Sequence, residues 1–375
     1  MYIIQRQNFQ QLLNALKEAG YKIVGPTVED QAIVYGPIRC VEDLPIGWTD
    51  RQEAGTYRLE PRNDSALFGY VVGPTSWKKF LFPPREKLWQ AQKTGNGFQV
   101  EAQFPPQENT AFLGIRSCEL HAIAIQDKVF TAGPFVDSHY RLRRENVLLI
   151  AVNCTQPGGA CFCVSMNTGP KAAQGFDLSL TEVISASEHY FIAHTGTPKG
   201  EAILREVPHQ PWDENHEKKE NALMKASERQ MGRALDTRGI KELLYQNAEH
   251  PQWKKVADRC LSCANCTMVC PTCFCSSVED VTDLKGEHVD RWRSWDSCFN
   301  LEFSYIHGGS ARKSTQSRYR QWMTHKLASW HDQFGTSGCV GCGRCIVWCP
   351  VGIDITKEAA IIRQAPLPQT QEGGT

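Results

Sequence analysis

Residues 259–271 read RCLSCANCTMVCP and residues 338–350 read GCVGCGRCIVWCP. This one tetrad, written twice, decides what the rest of the chain must build. Cys260, Cys263, Cys266 and Cys270 precede Pro271, and Cys339, Cys342, Cys345 and Cys349 precede Pro350, each at the spacing C-x2-C-x2-C-x3-C. Three thiolates two residues apart fit on one tight loop and reach three corners of a [4Fe-4S] cubane; the fourth, three residues further on, points to the cluster of the other loop. The spacing therefore predicts two [4Fe-4S] clusters with crossed ligation. Cys260, Cys263 and Cys266 are expected to share a cluster with Cys349, and Cys339, Cys342 and Cys345 to share the other with Cys270. The prolines agree, because Pro donates no backbone hydrogen bond and forces the preceding residue extended, turning the chain away. Zinc is the competing reading, but structural zinc sites use two separated C-x2-C pairs rather than a run of four cysteines closed by proline.

The chain around this pair is 375 residues long and 41% apolar, enough for two domains with a sizeable core. No stretch approaches a membrane span. The N-terminal MYIIQRQNFQQLLNAL lacks the basic region, apolar core and cleavage site of a secretory signal, so a cytoplasmic location without membrane contact is expected. In that reducing compartment the 16 cysteines read as metal ligands rather than disulfides. Formal charge is zero, which leaves no electrostatic footprint for nucleic acid.

Phe9 to Ala19 reads as an amphipathic helix with Leu12, Leu13 and Leu16 on one face. QAIVYGPI and ALFGYVVGP read as strands closed by Gly-Pro turns, and KKFLFPPREKLW (78–89) as a surface loop. TAFLGIRSC ends at Cys118 and NVLLIAVNC at Cys154. Uninterrupted apolar runs of this length suit strands buried on both faces of a parallel sheet, and ELHAIAIQDKVF after Cys118 continues as a helix. In open α/β sheets ligands collect at the carboxyl ends of the strands. Cys118 and Cys154 then lie on one edge, near Cys161 and Cys163 in the Gly-rich loop PGGACFCVSMNTGP, and these four are candidates for a third [4Fe-4S] cluster. The alternative for them is burial as core thiols.

The fold class expected is α+β. An N-terminal α/β domain (1–210) is followed by a charged helical connector (211–250), a mainly helical two-cluster ferredoxin-like domain (251–363) and a disordered tail (364–375). The basic run Arg312, Lys313, Arg318 and Arg320 reads as a solvated helix or a counter-charge to anionic clusters. Cys273, Cys275 and Cys298 stay open between alternative ligands, an additional site and buried thiols, and Cys40 reads as a core cysteine. GGSARKS lacks the Gly-Lys pair of a phosphate loop and no G-x-G-x-x-G follows a strand, so hydride chemistry on a nicotinamide is expected to belong to another protein.

From about Phe68 onward, the runs KKFLFPPREKLW, GIRSCELHAIAIQDKVF, HYRLRREN, CFC, GFDLSL, CPTCFC, WDSC and GCVGCGRCIVWCP resemble, in order, the β subunit of the cytoplasmic NiFe sulfhydrogenases. The electron-transfer subunit of anaerobic sulfite reductase is a related, less close match, and the corresponding role in that complex is the alternative. The resemblance implies a non-catalytic relay of single electrons. Its implied partners are the hydrogenase small and large subunits together with a flavin- and NAD(P)-binding γ subunit.

Overall fold

The computed structural model describes residues 1–367. Its centre is an eight-stranded mixed sheet built from β1 (Tyr2–Gln5), β2 (Lys22–Glu29), β3 (Ala32–Pro37), β8 (Thr110–Ile115), β9 (Val147–Val152), β10 (Leu178–Ile184), β11 (His189–Thr195) and β12 (Gln210–Pro211). Their spatial order is β12-β1-β11-β10-β9-β8-β2-β3. Four neighbouring strands, β10, β9, β8 and β2, are parallel. Every residue of β9 is buried, as are five of six in β8, which is why both read as unbroken apolar runs. The helices Ser117–Phe130 and Ser138–Glu145 make the crossover from β8 to β9, and Phe9–Glu18 lays Leu12, Leu13 and Leu16 into the same core. Because β8 and β9 run parallel with Ile115 opposite Ala151, Cys118 and Cys154 emerge at the same edge.

A second sheet joins distant parts of the chain. Its strands are β6 (Arg85–Thr94), β7 (Gly97–Ala102), β13 (Ser276–Thr282) and β14 (His288–Trp295), in the order β13-β14-β6-β7. A further hairpin pairs β4 (Trp48–Glu53) with β5 (Thr56–Pro61). The protein is thus a mixed α/β structure with several sheets. The expected mainly helical character is not found between the tetrads: β13 and β14 form a hairpin that pairs through β14 with β6, across a bulge at Arg291/Trp292. Arg293 of β14 and Arg143 both donate to buried Glu86 of β6, fixing this sheet on the helix Ser138–Glu145.

Three local expectations are corrected. ALFGYVVGP is not a strand but a buried irregular segment whose backbone is satisfied by charged side chains. Glu182 accepts from the N–H groups of Leu67 (2.7 Å) and Phe68 (2.9 Å), and Arg116 donates to the carbonyls of Phe68 (2.7 Å) and Tyr70 (2.8 Å). KKFLFPPREKLW is not a surface loop, since Lys78–Leu81 is a short helix with Lys78, Leu81 and Phe82 buried, and β6 begins at Arg85. Cys40 is partly exposed rather than in the core. Within the connector lie the helices Glu214–Arg229 and Ile240–Gln246. Gln364 closes the helix Ile355–Gln364 instead of opening a tail, and the rest of that expectation, residues 368–375, falls outside the described residues. Among the described residues no helix is long and apolar enough to cross a membrane.

Candidate metal centres

The two tetrad loops have the same backbone conformation. Ser262 and Ala264 in the first, and Gly341 and Gly343 in the second, are left-handed, with φ of +51°, +65°, +67° and +74°. Each pair leads into a four-residue helix, Asn265–Met268 and Arg344–Val347, that carries the third cysteine. This curl turns amide hydrogens inward. Ser262 N–H points at the Cys260 sulfur (3.4 Å), Gly341 N–H at the Cys339 sulfur (3.5 Å) and Ile353 N–H at the Cys349 sulfur (3.3 Å). Glycine is compulsory only in the second loop. A Cβ on Gly341 would stand 2.6 Å from the Phe162 carbonyl and one on Gly343 2.4 Å from Ala160 O, because this loop rests directly on the Gly-rich loop of the N-terminal half. Phe162 N–H donates to Gly341 O (2.8 Å) and Thr168 Oγ1 to Val340 O (2.7 Å) across that contact.

Cys260, Cys263, Cys266 and Cys349 line one cavity, together with Cys345, Phe299, Tyr319 and Trp322. Its walls hold two buried donors, Tyr319 OH and Trp322 Nε1, with no hydrogen-bond partner in the protein. Cys118, Cys154, Cys161 and Cys163 line a second cavity with Cys342, Arg116 and Arg344. Arg116 Nε is likewise buried without a partner. Buried donors are expected to be satisfied, so these three suit a group that accepts hydrogen bonds. Sulfide and thiolate sulfur are such acceptors.

Cys270, the fourth cysteine of the first tetrad, does not line the cavity of its own loop. It is buried beside Lys326, whose Nζ donates to its sulfur at 3.0 Å. Its thiol is held well below the ordinary range by hydrogen bonding with Cys273 and by Lys326. Cys345 is pushed well above it by burial and by the negative charge that Cys339, Cys342 and Cys270 would carry. Cys163 is pushed up to about 12 by burial and by Cys154 and Cys342. The thiols thus gather in three adjoining sets, with Cys342 facing the N-terminal cavity and Cys345 the other. Among the described residues no three His, Cys, Asp or Glu side chains are placed to hold a single metal ion. Thiolates that bind separate irons of a cubane stand further apart than ligands of one zinc.

Several residues of the sites carried no sequence signal. Arg344 donates to Glu119 Oε1 at 2.7 Å, both buried, and Tyr35 donates to the other carboxylate oxygen, so the residue after Cys118 is tied to the residue before Cys345. Arg318 of the basic run is buried rather than solvated, donating to the carbonyls of Arg312 and Lys313 and to Ser262 Oγ (3.3 Å). Cys273, Cys275 and Cys298 lie around Lys326 outside both cavities; hydrogen bonding with Cys298 lowers the Cys275 thiol to about 7.

Comparison with known proteins agrees with this geometry. A family described as a 4Fe-4S dicluster domain matches residues 259–353. The chain is similar to sulfhydrogenase 2 subunit beta of Pyrococcus furiosus, 30% identical over 374 residues, covering 96% of this chain and 98% of that protein. No solved structure matches.

Proposed function

We propose, from the premise that this chain belongs to the family of sulfhydrogenase beta subunits, that it passes single electrons between the small and large subunits of a NiFe hydrogenase on one side and a flavin- and NAD(P)-binding subunit on the other. The observation that carries this reading is the cavity that Cys260, Cys263 and Cys266 share with Cys349, a thiol from the other tetrad. Crossed ligation needs that exchange of the fourth cysteine. Cys339, Cys342 and Cys345 hold the partner cluster with Cys270, and Cys118, Cys154, Cys161 and Cys163 hold a third. Bound in these cavities, [4Fe-4S] clusters take up and release one electron at a time. The protein's own part is to supply thiolates, to aim N–H groups and the orphan donors of Tyr319, Trp322 and Arg116 at sulfur, and to shield the sites from water. The adjoining order of the three sets, N-terminal cavity, second tetrad, first tetrad, suits a relay.

Iron and acid-labile sulfide test the assignment. Anaerobically purified protein should hold about twelve of each per chain, and Cys161→Ser about eight. Cys349→Ser should lose the cluster of the first loop, which is the loss that crossed ligation demands. Wild type holding about eight would return the N-terminal four to core thiols, and a colourless zinc protein would sink the reading entirely.

A further inference from the structure

We propose that Lys326 is a positioning residue that makes the site of Cys339, Cys342, Cys345 and Cys270 reducible, and so keeps open the middle of the relay; this rests on the cluster assignment above. Lys326 Nζ, buried, has three acceptors: Cys270 Sγ at 3.0 Å, Thr272 Oγ1 at 3.3 Å and Gly338 O at 3.5 Å. Thr272 Oγ1 stands 2.7 Å from Gly338 O and 3.1 Å from Cys270 Sγ; its single proton goes to one of these acceptors, so toward Lys326 its oxygen accepts. Three acceptors call for three protons, and the group is an ammonium.

Among the described residues no carboxylate lies within ion-pair distance of Lys326. Lys78, the other buried lysine nearby, has none either; it donates to Cys273 O at 3.2 Å and sits 3.8 Å from the centre of the Trp295 ring. Leaving a buried charge unpaired is strongly unfavourable. The negative charge available to offset it is that of the thiolates and of whatever they bind. The relation is reciprocal. A buried cluster resists the extra negative charge of reduction, and an ammonium on one of its ligands favours that charge.

The placement is stiff, and the one thiol hydrogen bond of Lys326 goes to Cys270, while toward the first loop's cavity it faces only the Trp322 ring, 5.9 Å away. Lys326 lies in a π-helical turn, His325–Ser329, set within the helix that follows Ser314, and its carbonyl accepts from Gly338 N (2.7 Å) and Ser337 Oγ (3.2 Å) at the start of the second tetrad loop. Such turns inside helices recur at functional sites. The first tetrad differs: Cys263 is exposed, where water can respond to added charge, and the nearby Arg318 reaches Ser262 and carbonyls but no thiol. The second tetrad set stands between that exposed site and the N-terminal cavity. If it alone fails to reduce, the passage is cut.

The test is a potentiometric titration of the full chain with its clusters, followed by electron paramagnetic resonance. Lys326→Gln removes the charge and leaves a polar side chain one bond shorter. Iron and sulfide should stay at the wild-type level while one cluster signal moves to a more negative midpoint by clearly more than the others. Lys326→Arg should restore the midpoint, and the shifted signal should vanish in Cys339→Ser. Unmoved midpoints at full iron content overturn the proposal. So does the loss of about four irons from Lys326→Gln, because the lysine would then hold the site together rather than tune it. Wild type with fewer than about eight irons, read before any titration, would instead overturn the cluster assignment.

Discussion

Ala264 and Gly343 occupy the same place in their two loops, with φ of +65° and +74°, yet only one is glycine. A left-handed non-glycine residue costs on the order of 1–3 kcal/mol, and the first loop carries that strain at both Ser262 and Ala264. The first loop accommodates a Cβ at both positions, whereas one on Gly343 would stand 2.4 Å from Ala160 O, so a Cβ is strained in the first loop but not excluded. Ala264→Gly is therefore expected to raise stability by up to about 1 kcal/mol, the relief of strain exceeding the added freedom of the unfolded chain. Thermal unfolding of the two proteins side by side decides it; a lower midpoint in the variant would show that Ala264 is unstrained.

Among the elements, the helix Glu214–Arg229 is fastened to the main sheet by one buried carboxylate. Glu220 accepts from Lys171 Nζ (2.7 Å) and Thr181 Oγ1 of β10 (2.6 Å), and meets His194 Nε2 of β11 (3.0 Å). Burial opposes its charge, but the hydrogen bonds of His194, Lys171 and Thr181 overcome this and lower its pKa to about 2. A carboxylate depressed on folding stabilises the protein above its unfolded pKa of about 4.3, and that contribution fades as pH falls toward 2. Glu220→Gln should cost about 3 kcal/mol at neutral pH and flatten the stability profile between about pH 4 and 2. Denaturant titrations across that range measure both, and a variant with the wild-type acid slope would assign the linkage to another group.

At the scale of the whole molecule, the two halves of the chain complete one another. β14 needs β6, and Gly341 and Gly343 need the loop 160–163 beneath them. A fragment starting at residue 251 is therefore expected not to assemble both tetrad clusters, despite containing all eight of their cysteines; recovery of about eight irons in a folded fragment would refute this. The same interdependence marks what was legible in advance. The tetrads, their chemistry and the apolar runs of β8 and β9 are local, set by spacing and periodicity that chain neighbours alone impose. The convergence of Cys118 with Cys154 followed from one step more, the shared edge of parallel strands. Lys326, Arg116, Glu119 and the stitching of β14 to β6 had no such signal. ALFGYVVGP reads as a strand for the same reason: its apolar residues announce burial, but what satisfies its backbone is Glu182 and Arg116, both far along the chain. By itself the sequence determined the two cysteine tetrads and their spacing, because spacing is a property of a short loop. The tertiary structure alone decided which charges stand beside them, because a buried ion is placed by the packing of distant segments.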